Sequence, residues 1–594
     1  GGHGGALNRL LAAKRYEEAD RFARFLQERF DGRLYLEIER TFLPWEISVN
    51  SRLLEISSRL GVPAVAGGPI QHVAPEDFVA QDALLCAETL CTVEELVGRK
   101  PQRPDGAPSV PIRSLNAERY FRTGDAWRAL FADAPELLEQ TLEVAERCAE
   151  SPLPPRPGFP RFCEEPEALL REVVFRGARE RYGEIPFEVK SRLNLELSTI
   201  CHLGFASHFL AFWEACNWAR SEGILFSARG SAVDSAVAWC LGISRIDAAR
   251  HNLHFDRFLP PDGSKRPDID VDFEAARRED VRQFFARRYG KEHTATVGAY
   301  ATWQGRGIVR EIGKALMIPQ PALDCLAKRL HGSVTGARLR SAFQARPELR
   351  DSGIPVERFE LLFEIASTLD GLPRHLGAHS SGVVLSDVPV CDVVPVLDSA
   401  REDVPILQWD KYSAKHFFDK LDVLCLRGHD VLKGTQVRVR ESAPEFSVLD
   451  LTMEEDSVWE PFRKGELIGV PQSASPAMRQ AHVRLGTSNL HEASLIQAGI
   501  RPGVGGAVKL NALIRRKRGL EPCRFDHPLL ETILGSTYGV VVFQEQVDQL
   551  LETFCGYTPG EAEEIRDELQ RRRAEEWDEA MRTEVLSRAI QNGF

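Results

Sequence analysis

Three aspartates stand at strict alternation in Arg266-Pro267-Asp268-Ile269-Asp270-Val271-Asp272-Phe273. Alternation with β-branched and aromatic spacers predicts a strand, with Asp268, Asp270 and Asp272 on one face and Ile269, Val271 and Phe273 packed behind. Neighbouring carboxylates repel one another and are costly to ionise unless a cation sits among them. Hard divalent ions such as Mg²⁺ prefer oxygen ligands and keep coordination positions for substrate phosphates. A solvated strand edge fits the same residues, so the triplet alone leaves two readings open.

Two further stretches bear on that choice. Ala228-Arg229-Gly230-Ser231-Ala232-Val233-Asp234-Ser235 joins the apolar run Ile224–Phe226 to a predicted helix starting near Ala236. A small-residue loop entering a helix N-terminus is a phosphate cradle, to which Arg229 adds a bidentate charge and Ser231 a hydroxyl; a plain helix cap is the alternative. It lies roughly 40 residues before the aspartates, which predicts adjacent strands joined by a helical crossover. Lys420-Leu421-Asp422-Val423-Leu424-Cys425-Leu426 is an apolar strand with one acid. Asp422 is costly there unless it is paired, by Lys420 or backbone, or serves as a third metal ligand opposite Asp270 and Asp272.

These segments need a scaffold of several domains, because 594 residues exceed a single core. Helix-spaced apolar residues over 6–31 and 51–60 alternate with strands at 34–38 and 62–66, the sign of an α/β layer. The Pro-rich run at 151–160 marks a boundary. Residues 165–222, 275–290 and 304–330 read as helical, and 382–397 and 406–409 as strands. A net charge of −12 excludes a polycation, so any nucleic-acid contact needs local patches such as Arg515-Arg516-Lys517-Arg518, which also fit a solvated face. There is no apolar run near the ~20 residues of a membrane span. Twelve cysteines without a C-x-x-C pair suit reduced, largely buried thiols in the cytoplasm. The Gly-Gly-His-Gly-Gly-Ala start has no signal-peptide pattern. Both ends read as cuts in a longer chain.

The order of motifs resembles the bacterial C-family DNA polymerases, the α subunits of DNA polymerase III. The resemblance runs through Phe255-Asp256-Arg257-Phe258-Leu259-Pro260, Pro267–Phe273 and Thr296–Thr302 with Arg306 and Arg310. It continues through Arg374-His375-Leu376-Gly377-Ala378-His379-Ser380-Ser381-Gly382-Val383, Lys420–Leu426, Ile500-Arg501-Pro502-Gly503, Thr537–Val547 and Pro559–Arg566. The loop at 229–237, Gln408-Trp409-Asp410-Lys411 and Asp422-Val423-Leu424 look closer to the error-prone second α-type polymerase than to the main replicase.

The resemblance implies a fold with the C-terminal part of a degenerate PHP domain at 1–150, a nucleotidyltransferase-type palm at 151–302 and 374–430, a helical thumb at 303–373 and mostly helical, incomplete fingers at 431–594. It implies two Mg²⁺ ions on Asp270, Asp272 and Asp422 with Asp268 in support, and transfer of a nucleotide from dNTP to a primer 3′-hydroxyl. Arg229, Gly230, Ser231, Lys420, Arg501 and Arg566 would hold the nucleotide. Arg306, Arg310, Arg374, His375 and the 515–518 cluster would contact primer–template DNA. A sliding clamp and other replication or repair subunits would bind through regions beyond residue 594. Several residues depart from the family pattern: Ala228 replaces a glycine, Asp234 and Asp567 place acids near an expected phosphate path, and Gly469-Val470-Pro471-Gln472-Ser473 has a proline where an aromatic is usual. Ala228 and the two acids motivate an alternative, a degenerate polymerase-like subunit acting as a DNA-binding scaffold. A PHP phosphoesterase is disfavoured because Gly67-Gly68-Pro69-Ile70-Gln71-His72 offers few ligands.

Overall fold

The computed structural model describes residues 5–98, 115–149, 154–251, 253–263, 266–332, 334–345, 359–399, 404–451, 455–500, 506–571 and 579–594. The chain forms two compact units, Gly1–Pro154 with Tyr300–Gly377, and Pro155–Ala299 with Ala378–Phe594.

In the first unit, β1 (Leu36–Glu39) and β2 (Ala64–Gly67) pair in parallel, with Leu36 opposite Ala64. The helix Glu46–Leu60 connects them and ends at Gly61, whose φ of 66° suits a residue without Cβ. Its Val49, Leu53 and Ile56 recur at helical spacing and pack on Leu36, Ile38 and Phe131. A second core joins Ala80 and Ala83 to Ile308, Val309, Ile312, Leu323 and Leu326. The helix expected over 304–330 is two helices, Gly305–Ala315 and Gln320–Arg329. Met317 at φ 57° and Pro319 interrupt it, since neither continues a right-handed helix.

The second unit is built on a mixed sheet. Its strands are β3 (Phe226–Arg229), β4 (Asp270–Glu274), β5 (Thr294–Thr302), β6 (Pro373–Leu385), β7 (Val396–Leu397), β8 (Ile406–Asp410) and β9 (Lys420–Leu426). The order is β3-β4-β9-β6-β5-β8-β7, and β3, β4 and β9 lie wholly in this unit. The single strand region expected over 382–397 is β6, a 3₁₀ turn at Val390–Asp392 and β7. Helices Pro166–Tyr182, Phe187–His202 and Ala206–Ser221 supply Leu170, Val174, Leu193, Leu197, Phe209 and Phe212 to the main core, where they meet Ile269, Val271 and Phe273. Those last three are fully buried, each worth about 1.5–3 kcal/mol of apolar burial, which offsets the crowding of acids on the same segment.

One expectation fails here. β3 and β4 are neighbours, but antiparallel, so no βαβ crossover joins them. Among the described residues between them lie a 3₁₀ turn, Gly230–Asp234, the five-residue helix Ala236–Cys240 and a second 3₁₀ turn, Phe255–Arg257; an antiparallel neighbour needs no long crossover helix to bring the chain back to the starting end of β3.

After Leu426 the described residues carry helices and no strand. No single helix among them is long and apolar enough to cross a membrane. The cysteines are less uniformly covered than expected: Cys86, Cys91, Cys216, Cys240 and Cys555 are buried, whereas Cys148, Cys391 and Cys523 are exposed.

Candidate active site

The register of three strands assembles the site. β4 pairs with β9 in parallel so that Asp270 stands opposite Asp422, and with β3 so that Asp270 stands opposite Arg229. The strand begins only at Asp270; Asp268 sits in the extended segment before it. This changes the expected membership. One oxygen from each of Asp268, Asp270 and Asp422 falls within a 4.8 Å cluster. Asp272, predicted as a ligand, is instead buried one pleat further along and faces Arg229, whose Nε lies 3.4 Å from its Oδ2. Asp268, expected as a supporter, contributes one oxygen to the cluster from the segment that precedes β4.

The electrostatics are those of a site short of positive charge. Burial, then the charges of Asp268 and Asp422, push the Asp270 carboxyl up to about 7, with Arg229 opposing. Lys420 Nζ lies 2.5 Å from Asp422 Oδ2. Burial works against the charge on Lys420, but the bond to Asp422 outweighs it and the pKa is raised. Two buried oxygens, Asp272 Oδ1 and Asp422 Oδ1, have no hydrogen-bond partner. An ionised carboxylate can only accept, so a cation is the natural group to satisfy such atoms. The donor set therefore fits a hard divalent ion. Gly230 adopts φ 62°, and a Cβ there would stand 3.4 Å from Asp270 Oδ2, so glycine lets the loop turn beside the cluster.

The expected phosphate cradle is only partly present. Arg229 and Ser231 flank the aspartates at the end of β3, and Arg229 is 54% exposed. The helix behind them does not offer its amides. Glu196, fully buried on Phe187–His202, accepts hydrogen bonds from Ala236 N (3.0 Å), Val237 N (2.9 Å) and Ser235 Oγ (2.8 Å). Arg192 pairs with Glu196 at 2.8 Å and donates to the carbonyl of Asp234 at 2.7 Å. A protein carboxylate already occupies the place assigned to phosphate. Sequence reasoning missed Glu196, although it falls on the same apolar helix face as Leu193, Leu197 and Ile200, where a lone acid signals a partner.

Several expected contacts are committed elsewhere. Arg566 is buried and bonds Asp548 at 2.5 Å, with Glu563 at 3.4 Å. Arg257 reaches the same Asp548 Oδ2 at 3.3 Å and Glu545 at 3.2 Å. Helices Gln544–Cys555 and Pro559–Arg571 are thus tied to the 3₁₀ turn Phe255–Arg257, and the Arg566 guanidinium expected at the nucleotide is held by Asp548 and Glu563. Asp234 is buried near these groups, and burial lifts its carboxyl to about 6 against the attraction of Arg257. Arg501 and the side chain of Asp567 lie outside the described residues.

Of the predicted DNA contacts, Arg310 and His375 are exposed. Arg306 donates to the carbonyl of Leu330, and Arg374 pairs with Glu311 over the ring of Trp303. The 515–518 cluster is only half a surface. Arg516 holds the carbonyls of Tyr538 and Gly539, and Lys517 pairs with Glu492 at 2.6 Å; Arg515 and Arg518 remain exposed. Helical periodicity turns the middle pair of four consecutive residues towards the fold.

Residues 168–425 match the bacterial DNA polymerase III alpha NTPase domain, and residues 429–593 the bacterial DNA polymerase III alpha subunit finger domain. The chain is 35% identical over 571 residues to an error-prone DNA polymerase of Symbiobacterium thermophilum, covering 95% of this chain and 51% of that protein. It is 29% identical over 604 residues to a DNA polymerase III subunit alpha of Rickettsia prowazekii, covering 97% and 50%. An error-prone DNA polymerase of Nocardia farcinica is 32% identical over 567 residues, covering 94% and 47%. The chain spans about half the length of the curated relatives it matches. Matched over residues 168–425 and 429–593 by these two domains and over most of its length by these relatives, the chain belongs to the bacterial C-family, the α subunits of DNA polymerase III.

Proposed function

We propose that this protein is a DNA-templated DNA polymerase whose palm is the β3–β4–β9 region. The observation that supports it most is the Asp268–Asp270–Asp422 cluster with its neighbouring orphaned oxygens, in a chain whose relatives are named DNA polymerases. Asp270 and Asp422, joined by Asp268 and with Asp272 beside them, would hold two Mg²⁺ ions. Bound there, the ions supply Lewis-acid chemistry for nucleotidyl transfer. Arg229 and Ser231 orient the triphosphate of the incoming dNTP from the end of β3. Lys420 pairs with Asp422 and fixes its carboxylate at the site. A scaffold would have no physical reason to keep acids crowded with oxygens unsatisfied.

On this reading residues 151–302 and 374–430 form the palm, 303–373 the thumb and 431–594 part of the fingers, with the C-terminal part of a degenerate PHP domain at 1–150. Arg310, Arg515 and Arg518 are exposed cations available to primer–template phosphates, and His375 is an exposed hydrogen-bonding side chain for the same role. Likeness to two error-prone polymerases supports a role in translesion synthesis. Primer extension with Mg²⁺ and four dNTPs tests the reading. The protein is expected to extend the primer and its Asp270→Ala form to lose that activity. No extension by the protein, or equal extension by Asp270→Ala, would overturn it.

A further inference from the structure

A concave pocket of ≈ 440 Å³ opens between helices Pro166–Tyr182 and Ala206–Ser221 and the turn after Ala236–Cys240. None of its lining residues belongs to the aspartate cluster or the phosphate loop. Arg176, Arg181 and Arg220 line it, with Glu180 as the one lining acid and Trp213 on the wall. That local excess of positive charge stands out in a chain of net charge −12.

The arginines are arranged rather than scattered. Arg181 lies 3.7 Å over the ring of Trp239, and among the described residues it has no hydrogen-bond or ion-pair partner. Arg220 is held by Asn217 Oδ1 at 2.5 Å and by the carbonyl of Gly242 at 3.1 Å. Both guanidiniums converge on one point: a Cβ on Gly242 would meet Arg220 Nη2 at 2.8 Å and Arg181 Nη2 at 3.5 Å. Gly242, at φ 72°, leaves that point open. Arg245 sits close enough to disfavour the charges further, and Asp247 offsets part of the excess. Arg176, on the rim, is paired with Glu172 at 3.3 Å.

We propose that Arg181 and Arg220, with Arg176 at the rim, bind a diphosphate group. Planar guanidinium forks match phosphoryl oxygens in pairs, and two that repel each other across open space are stabilised by an anion between them. The volume is within the range of about 300–1,000 Å³ typical of small-ligand sites, and the shape is a cavity rather than a stripe that tracks a nucleic-acid backbone. The diphosphate could be free pyrophosphate or part of a nucleotide; the assignment does not depend on the polymerase reading.

Isothermal titration of the protein with pyrophosphate and with dTDP, in EDTA, tests it. Pyrophosphate is expected to bind, at least tenfold more weakly to Arg181→Ala and several-fold more weakly to Arg176→Ala, whose exposed side chain is not needed for folding. Asp270→Asn is expected to bind it unchanged, which separates this pocket from the aspartates. Tighter binding of dTDP assigns a nucleotide source, and equal binding assigns the free anion. The proposal is overturned if pyrophosphate does not bind, if both arginine variants bind as well as the unaltered protein, or if only an oligothymidylate binds in an Arg181-dependent way.

Discussion

At the junction of β4 and β9, Asp270 and Asp422 stand shoulder to shoulder across one backbone register, with Asp268 closing the group. At the Phe255–Arg257 turn, Asp548 instead faces two arginines, with Glu545 and Glu563 outside them. Both places bury carboxylates. In the first, acid faces acid because paired strands fix the spacing, and Asp270 is pushed up to about 7. In the second, long side chains from separate helices interleave so that each acid meets a guanidinium. Sheet register produces a charge arrangement that only an added cation resolves, whereas helix packing produces one that resolves itself.

The contrast can be broken at each end. Asp422→Asn should abolish Mn²⁺ binding at the strand cluster and reduce primer extension by well over the ~10–100-fold that outer-shell changes cost. Retained Mn²⁺ binding by titration would mean the cluster is not the metal site. Arg566→Ala leaves Asp548 buried with one arginine fewer, and should destabilise the protein by about 3 kcal/mol in urea unfolding, with Arg566→Met recovering part of it. If stability held and only the KM for nucleotide rose, Arg566 would be a substrate contact after all.

Asp234 gives a pH test of the same cluster. Its folded pKa, about 6, exceeds the ordinary 3.8, so the folded protein holds this proton more firmly than the unfolded chain. Its contribution is therefore greatest at low pH and is lost as pH rises from about 4 to 6. Asp234→Asn should flatten that window and stabilise the protein above pH 6 by on the order of 2 kcal/mol, read from thermal midpoints against pH. The smallest effects belong to the basic run. Lys517→Ala should cost about 1–2 kcal/mol through the lost pair with Glu492, and Arg515→Ala under about 0.5 kcal/mol in the same unfolding assay.

Much of the site was legible because its signals are local. Period-two alternation places Ile269, Val271 and Phe273 in the core, and an acid in the apolar run at Asp422 points to a partner. What was not legible depends on direction and distance. Residue spacing contains no record of whether β3 runs with or against β4, so the crossover expectation failed. Where β4 begins decides whether Asp268 or Asp272 joins the cluster, and that start is set by pairing with Arg229 and Asp422, far along the chain. Arg566 matched a triphosphate contact by motif, but it shares Asp548 with Arg257, some 300 residues earlier in the chain, and only the fold brings the three together.

The carboxylate of Glu196 has a consequence for how the loop at 230–235 meets its ligand. Three donors and Arg192 fasten the start of the following helix before any nucleotide arrives. The conformational entropy of that segment is thus surrendered during folding rather than on binding. On the proposed reading, a nucleotide entering beside Arg229 would meet a stiff wall, leaving its binding energy to align the reacting groups instead of ordering the loop that receives them.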